Sequence, residues 1–149
     1  MTDSLDVVAP VPGKVIALAD VPDPVFAQQL VGSGVAIDPE RSPGVAVAPV
    51  AGRLLKLHPH AFVVLTSARQ GVLVHLGIDT VQLDGVGFEV LAKEGAELAV
   101  GDPIVRWDPA AVEAGGRSPT VAIVVMDTAP DTVSATTVGS TVEVGDPLF

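Results

Sequence analysis

The sequence predicts an all-β fold, an antiparallel β-sandwich or flattened barrel with internal hairpin repeats and at most short helical turns. Its apolar residues, mostly valine and alanine, fall in short runs of strand length. The 15 glycines and 13 prolines separate these runs at close intervals, and no long segment shows helical periodicity. Many short strands divided by turn residues are typical of sandwiches and barrels. At 149 residues, the chain is long enough for one well-packed domain.

We expect residues 1–6 to form a flexible leader and residues 7–149 to form a single domain. The leader has no basic segment followed by an apolar one, so no signal peptide is predicted. The chain has no cysteine, which excludes disulfides and thiolate metal sites and suits the cytoplasm. The longest apolar run is far too short for a bilayer, so no membrane insertion is expected.

The formal net charge of −10 narrows the partners that this protein can bind. Its 8 lysines and arginines are spread along the chain and form no basic patch, which argues against nucleic-acid binding and anionic membrane surfaces. An acidic surface favours solubility and steers basic protein partners towards the molecule. Other proteins are therefore the expected macromolecular partners.

Two sequence patterns each occur twice. The pattern Ala-Pro-Val-x-Gly, followed by a basic residue and two aliphatic ones, appears at 9–18 and again at 48–57. Residues 95–105 resemble residues 139–149, and each copy is predicted to form a short strand, a Gly-Asp-Pro turn and another strand. The echoes indicate repeated β-hairpin units around one core and are too short for a solenoid.

The remaining elements are placed by their turn residues and apolar runs. Two prolines within 20–30 exclude a regular central strand and leave a loop with one helical turn. Glycines introduce or end several of the other segments. The predicted elements are a helical turn at 25–29, a turn leading into a strand at 32–39, a strand at 85–92, a helical turn at 109–114 ended by Gly115 and Gly116, and a buried strand at 121–127.

One histidine stands inside the apolar run 72–81, which is predicted to be a strand. Strict alternation places the even-numbered residues of 72–78 on the core face and the odd-numbered ones, including His75, on the opposite face. Gly77 follows on the face of His75 and leaves room for another group to approach the ring. Histidine can act as base, acid, nucleophile or metal ligand near neutral pH.

All three histidines of the chain lie in one predicted hairpin. Residues 56–65 are strand-like, and the polar residues 66–70 followed by Gly71 predict a turn before the strand of His75. If the turn is centred between Ser67 and Ala68, His60 lies directly across from His75, with Cβ atoms roughly 4.5–5.5 Å apart. A register shifted by one residue would move one ring to the other face.

The motifs that are missing restrict the chemistry. No glycine-rich phosphate loop ending in Lys-Ser/Thr occurs, and no Gly-x-Ser-x-Gly elbow occurs. What remains is imidazole chemistry. A histidine nitrogen can take a phosphoryl group covalently. A second histidine can then hydrogen-bond the phosphoryl oxygens, and backbone N–H groups beside a glycine can do the same.

Residues 75–81, His-Leu-Gly-Ile-Asp-Thr-Val, resemble the phosphorylation-site signature of a known family. It is the glucose-type enzyme IIA domain of the phosphoenolpyruvate-dependent sugar phosphotransferase system. Further segments are similar to motifs of that family in the right order. They are residues 21–27, 32–37, 48–52, 60–62 and 85–88. The resemblance is strongest over residues 7–128.

The resemblance implies a compact β-sandwich and a phosphoryl carrier. His75 would accept a phosphoryl group from the phosphohistidine of the protein HPr, forming tele-phosphohistidine. It would pass the group to a cysteine of the enzyme IIB domain of a sugar-specific IIB/IIC permease. His60 would be the supporting histidine. No cofactor is required, but the two histidines of the family can bind zinc, which makes His60 and His75 candidate zinc ligands.

The resemblance also implies a contact surface for protein partners. Phe26, Phe62 and Val81 would line it, with Asp23 and Asp79 at the rim. The resemblance further implies that the two histidines lie in a shallow apolar depression, which could dock regulatory protein targets as well. The alternative for the apolar side chains is an ordinary place in the core.

Two departures from the family pattern stand out. Gly71 lies nearer to His75 than the corresponding glycine usually does, so the turn before the strand differs. His58 stands where the family usually has threonine, two residues before the first histidine. On an extended strand His58 and His60 would share one face, which makes His58 a candidate for added support.

Two rival functions follow from other readings of the same residues. His58, His60 and His75 could form a three-histidine zinc site with an open position for water, as in a zinc enzyme. The Ala-Pro-Val-x-Gly echo is also similar to biotinyl or lipoyl carrier domains. Those domains need a lysine at a hairpin tip, usually beside methionine, and no lysine here has that neighbour.

Overall fold

The computed structural model describes residues 5–149 and confirms an all-β fold. Its strands are β1 Gly13–Ala17, β2 Gly32–Pro39, β3 Gly44–Val47, β4 Gly52–His58, β5 Ala61–Leu65, β6 Gly71–Leu76, β7 Phe88–Val90, β8 Glu97–Leu98, β9 Pro103–Trp107, β10 Val121–Met126 and β11 Thr141–Val142. The helices are α1 Pro24–Ala27 and α2 Pro109–Ala114, with 3₁₀ turns at Leu18–Asp20 and Thr80–Leu83.

The strands form two antiparallel sheets. The larger sheet is curled and has eight strands in the order β11-β1-β2-β10-β6-β5-β4-β8, and the smaller one has the order β3-β9-β7. Of the predicted leader, residues 1–4 lie outside the described residues. Leu5 packs against the edge of the core, and Val7 is buried in it. Within residues 5–149, no helix is long and apolar enough to cross a membrane.

The two sequence echoes correspond to a repeated pairing between distant segments. β1 pairs with β11, and β4 pairs with β8 in the same way. The main-chain N–H of Ala9 donates to the oxygen of Asp146 at 2.8 Å, and that of Ala48 donates to Asp102 at 2.9 Å. Each Ala-Pro-Val segment is therefore held by one Gly-Asp-Pro turn. The two strands flanking each such turn do not form a hairpin, because β8 and β9 belong to different sheets and the second copy ends in an isolated bridge at Pro147.

Several predicted elements are confirmed and others need correction. The helical turn at 109–114 and the buried strand from Val121 are confirmed, the strand ending at Met126. β2 already begins at Gly32, so the turn expected at the start of 32–39 lies earlier, at residues 28–29, and β3 is an additional strand. The strand-like segment 56–65 is two strands, β4 and β5, joined by a tight turn at residues 59–60.

Apolar residues are buried on both faces of the large sheet near its centre. The main core lies between the two sheets and includes the even-numbered residues 72, 74 and 76 of β6, as predicted. A smaller cluster covers the opposite face, where Phe26 and the segment around it pack on β2 and β10. Ile78, expected on the core face, belongs to this smaller cluster. The strand ends at Leu76, and Gly77 then turns the chain with a φ of +80°.

Candidate functional site

His75 lies near the end of β6 on the face covered by the smaller cluster. The two residues that pair with it are alanines, Ala61 on β5 and Ala122 on β10. Because neither side chain is large, they leave space around the imidazole. The ring is instead bordered by Phe26, at a centroid distance of 5.2 Å and an interplanar angle of 59°, and by His60, at 5.2 Å and 72°.

The turn that follows β6 fixes the orientation of the His75 ring. Nδ1 of His75 lies 2.6 Å from the main-chain oxygen of Gly77. A carbonyl oxygen only accepts hydrogen bonds, so Nδ1 carries the proton in the neutral ring and Nε2 keeps its lone pair. The Thr80 hydroxyl donates to the main-chain oxygen of Leu76 at 2.7 Å and closes the same turn.

The surroundings of His75 favour the neutral imidazole. Burial lowers the pKa of His75, while the hydrogen bond to Gly77 and the negative charges of Asp23 and Asp79 act in the opposite direction and raise it. The net shift is downward, because removing a cationic ring from water outweighs the attraction of these groups. A neutral ring whose Nε2 is unprotonated can act as a nucleophile at neutral pH.

His60 meets His75 by a different geometry from the one predicted. The β5–β6 hairpin is centred on Ala68, so Ala61, not His60, pairs with His75. His60 lies in the turn before β5, and its main-chain oxygen accepts a hydrogen bond of 2.7 Å from the N–H of Leu76. Because His60 lies outside the strand, the alternation of side chains along β5 does not determine the direction of its ring. The ring reaches His75 although the predicted register was wrong.

His58 ends β4 and is exposed, and its ring stacks on that of His60 at a centroid distance of 5.8 Å and an angle of 28°. The pKa of His60 is lowered, first by burial and then by the proximity of His75 and His58. The structure does not support the alternative of a three-histidine zinc site. Among residues 5–149, no group of three or more His, Cys, Asp or Glu side chains could hold a metal ion. The contacts of His60 with His58 and with His75 form a row rather than a shell around one point.

The residues expected to line a partner surface differ in their exposure. Phe62 is 1% exposed and packs in the main core, so the prediction that it lines a surface is wrong. The reason is that Phe62 pairs with Val74 of β6, and both side chains lie on the core face of the sheet. Val81 lies on the 3₁₀ turn after His75 and is 57% exposed. Asp79, in a left-handed conformation just before that turn, is also exposed.

Helix α1 brings Phe26 to the site. Asp23 caps the helix by accepting a hydrogen bond of 2.8 Å from the N–H of Val25, and Pro24 occupies the first helical position, where it is well tolerated. Phe26 is buried against His75, whereas Val25 is 44% exposed beside it. Sequence reasoning missed the main-chain oxygen of Gly77 as the anchor of His75, and the only signal for it was a glycine two residues after a histidine.

Comparison with known proteins gives matches to one family. A family model described as phosphoenolpyruvate-dependent sugar phosphotransferase system, EIIA 1, matches residues 5–130. The chain is 42% identical over 122 residues to the glucose-specific EIIA component of the PTS system of Staphylococcus aureus, which covers 80% of this chain and 72% of the relative. The corresponding component of Staphylococcus epidermidis is 42% identical over 107 residues, or 70% of this chain and 63% of the relative.

A solved structure, glucose permease IIA from Mycoplasma capricolum, superimposes with a TM-score of 0.85 at 33% identity, covering 99% of this chain and 95% of that one. The fold and the matches define a phosphotransferase component of a sugar phosphotransferase system. Within that class, the chain belongs to the EIIA type 1 family.

Proposed function

We propose that this protein is a cytoplasmic phosphohistidine carrier in which Nε2 of His75 holds the phosphoryl group. The observation that supports this best is the 2.6 Å contact between Nδ1 of His75 and the oxygen of Gly77. It leaves Nε2 as the nucleophilic nitrogen of a ring that burial keeps neutral. The family to which the chain belongs supplies the expectation of HPr as donor and of an enzyme IIB domain as acceptor.

In the first transfer, the Nε2 lone pair of His75 forms a bond to phosphorus as the bond between phosphorus and the donor imidazole of HPr breaks. In the second, the thiolate of an enzyme IIB cysteine forms a bond to phosphorus as the Nε2–phosphorus bond breaks, and the ring becomes neutral again. His60 lies beside His75 and would donate a hydrogen bond to a phosphoryl oxygen. Such a bond balances the charge of the phosphoryl group while it is held.

Neither transfer step uses a metal. His60 and His75 remain candidate zinc ligands, but two imidazoles supply only part of a tetrahedral zinc shell. Val25, next to Phe26 on α1, and Val81, on the 3₁₀ turn after His75, are exposed and would form part of the surface that contacts HPr and the permease. The same surface could dock regulatory proteins. Because two relatives are named glucose-specific, glucose is the first sugar to test with a permease partner.

The proposal is tested with phosphoenolpyruvate labelled in its phosphoryl group, together with enzyme I and HPr. The parent protein should take up label that acid releases and alkali does not, and uptake should require HPr. His75→Ala should take up none while retaining the thermal unfolding transition of the parent. Label on His75→Ala, or uptake by the parent without HPr, would disprove the proposed role of His75.

A further inference from the structure

The turn that carries His58 and His60 is tightly constrained. β4 ends at His58, β5 begins at Ala61, and these two residues pair across the turn. Pro59 is the second residue of the four-residue turn 58–61, a position where the fixed φ of proline favours a β-turn. Pro59 also packs on the loop after the 3₁₀ turn of Val81, since a Cβ atom added to Gly85 would lie 3.2 Å from its Cγ. The two histidines are therefore attached to a rigid support.

The two active-site rings are held in different ways. The ring of His75 is held by a hydrogen bond from Nδ1 to Gly77. For the His60 ring, no side-chain hydrogen bond is found within residues 5–149, although its main-chain oxygen is tied to Leu76. The aromatic rings beside it are those of His58, stacked at an interplanar angle of 28°, and His75, at 72°. Packing between rings therefore helps to set the orientation of His60 towards His75.

We propose that His58 is a positioning residue: its ring, stacked on His60, holds the His60 imidazole towards His75 in the orientation that supports the phosphoryl group. This inference rests on the proposed function, in which His60 assists transfer. It gives the unusual histidine at position 58 a role that needs a flat ring and no metal. Ring pairs in preferred geometries of this kind stabilise a structure by more than the burial of their apolar area alone.

The role predicts a specific ranking of variants at position 58. His58→Phe retains a flat ring, His58→Gln retains hydrogen bonding without one, and His58→Ala retains neither. The rate of phosphoryl transfer from the phosphorylated protein to enzyme IIB can be measured by rapid quench. We expect His58→Ala and His58→Gln to slow this transfer about three- to tenfold. We expect His58→Phe to stay within about twofold of the parent. Parent-like transfer in His58→Ala, or rescue by glutamine and not by phenylalanine, would overturn the proposal.

A second arm tests whether His58 acts through His60. In the background of His60→Gln, adding His58→Ala should cause no further slowing, because the ring that His58 orients is gone. An equal slowing in both backgrounds would show an action independent of His60 and would overturn the proposal.

A third arm does not depend on phosphoryl transfer. In the proton NMR spectrum of the unphosphorylated protein, the ring protons of His60 should lose the ring-current shift caused by His58 in His58→Ala and retain a shift in His58→Phe. Unchanged His60 signals in His58→Ala would refute the stack itself. If the stack is present while His75→Ala still takes up label, the proposed function has failed and the packing of the rings has not.

Discussion

Nδ1 of His75 and the main-chain oxygen of Gly77 lie 2.6 Å apart, two residues from each other along the chain. The contact is possible because the chain leaves β6 at Leu76 and turns at Gly77 with a φ of +80°. The backbone conformation of one glycine therefore determines which nitrogen of His75 is protonated. This dependence makes the turn, and not only the histidine, a target for mutation.

Gly77→Ala should destabilise the protein and slow phosphorylation. Any residue with a side chain at this φ is strained by about 1–3 kcal/mol. A Cβ atom at Gly77 would also lie 2.6 Å from Cγ2 of Thr80 and 3.1 Å from the oxygen of Ser118, so the turn must shift. Urea unfolding measures the first effect, and the rate of labelling from phosphorylated HPr measures the second.

Gly87→Ala is the matched control, because Gly87 has a φ of +88° but open space where a Cβ atom would stand. It should show the backbone strain alone and label at the parent rate. If Gly77→Ala were no less stable than Gly87→Ala and labelled as fast as the parent, the turn would not fix His75 as argued.

Asp23→Ala should slow phosphorylation by loosening α1. The lost cap costs about 0.5–2 kcal/mol, and α1 carries the Phe26 ring that borders His75. Asp23→Asn should keep the cap and most of the rate. Asp146→Ala removes a similar bond, from the N–H of Glu143 to a turn aspartate, and serves as a control. A rate loss as large in Asp146→Ala as in Asp23→Ala, measured with labelled HPr, would contradict a local role for the cap.

The lowered pKa values of His75 and His60 predict how stability depends on pH. Both folded pKa values lie below the ordinary value of 6.5. As the pH falls through about 6.5, the unfolded chain therefore binds protons at these sites before the folded protein does. The free energy of unfolding should decrease on acidification from pH 7.5 to 5.5. The decrease should be smaller in the His60→Gln/His75→Gln double variant, and equal slopes in urea titrations would contradict the assigned shifts.

His60→Gln should accept phosphate and pass it on slowly. The ring of His60 borders His75, and no hydrogen bond from this ring is found among residues 5–149, so the ring can reach the phosphoryl oxygens. A glutamine amide can still donate a hydrogen bond but cannot become positively charged, so losing the charge-assisted bond should slow onward transfer to enzyme IIB roughly tenfold or more. The experiment starts from protein labelled to the same extent as the parent. Onward rates that match the parent would remove His60 from the mechanism.

The parts of the fold that were predictable from the sequence are those with a clear period or a clear stop. β6 and β10 alternate or run apolar over their whole length, and α2 begins with a proline after an aspartate and ends at a pair of glycines. The echoes also predicted repetition, because the same turn residues recur. They could not predict that each Ala-Pro-Val segment leads into a strand that pairs with the strand before a Gly-Asp-Pro turn, as β1 does with β11 and β4 with β8. Such pairing depends on contacts between residues far apart in sequence.

The details of the site were less predictable, because they depend on turns. The sequence of 56–65 predicts one strand, because a single proline in a strand-like segment does not reveal a reversal of the chain. The register of the β5–β6 hairpin depends on its turn, in which Arg69 adopts a left-handed φ of +64°. Arginine has no preference for this conformation, so its presence in the sequence does not predict it. The same register places Phe62 in the main core. Phe26, the same residue type, borders His75 because α1 brings it there.

The central claim is that Nε2 of His75 is the atom that carries the phosphoryl group. Long-range ¹H–¹⁵N NMR spectra of the protein labelled with ¹⁵N at histidine, recorded before and after phosphorylation by phosphoenolpyruvate, enzyme I and HPr, distinguish the two nitrogens of each ring. We expect only His75 to change its bonding, with phosphorus on Nε2 and the proton on Nδ1. Phosphorus on Nδ1 of His75, or on either nitrogen of His60 or His58, would contradict the account.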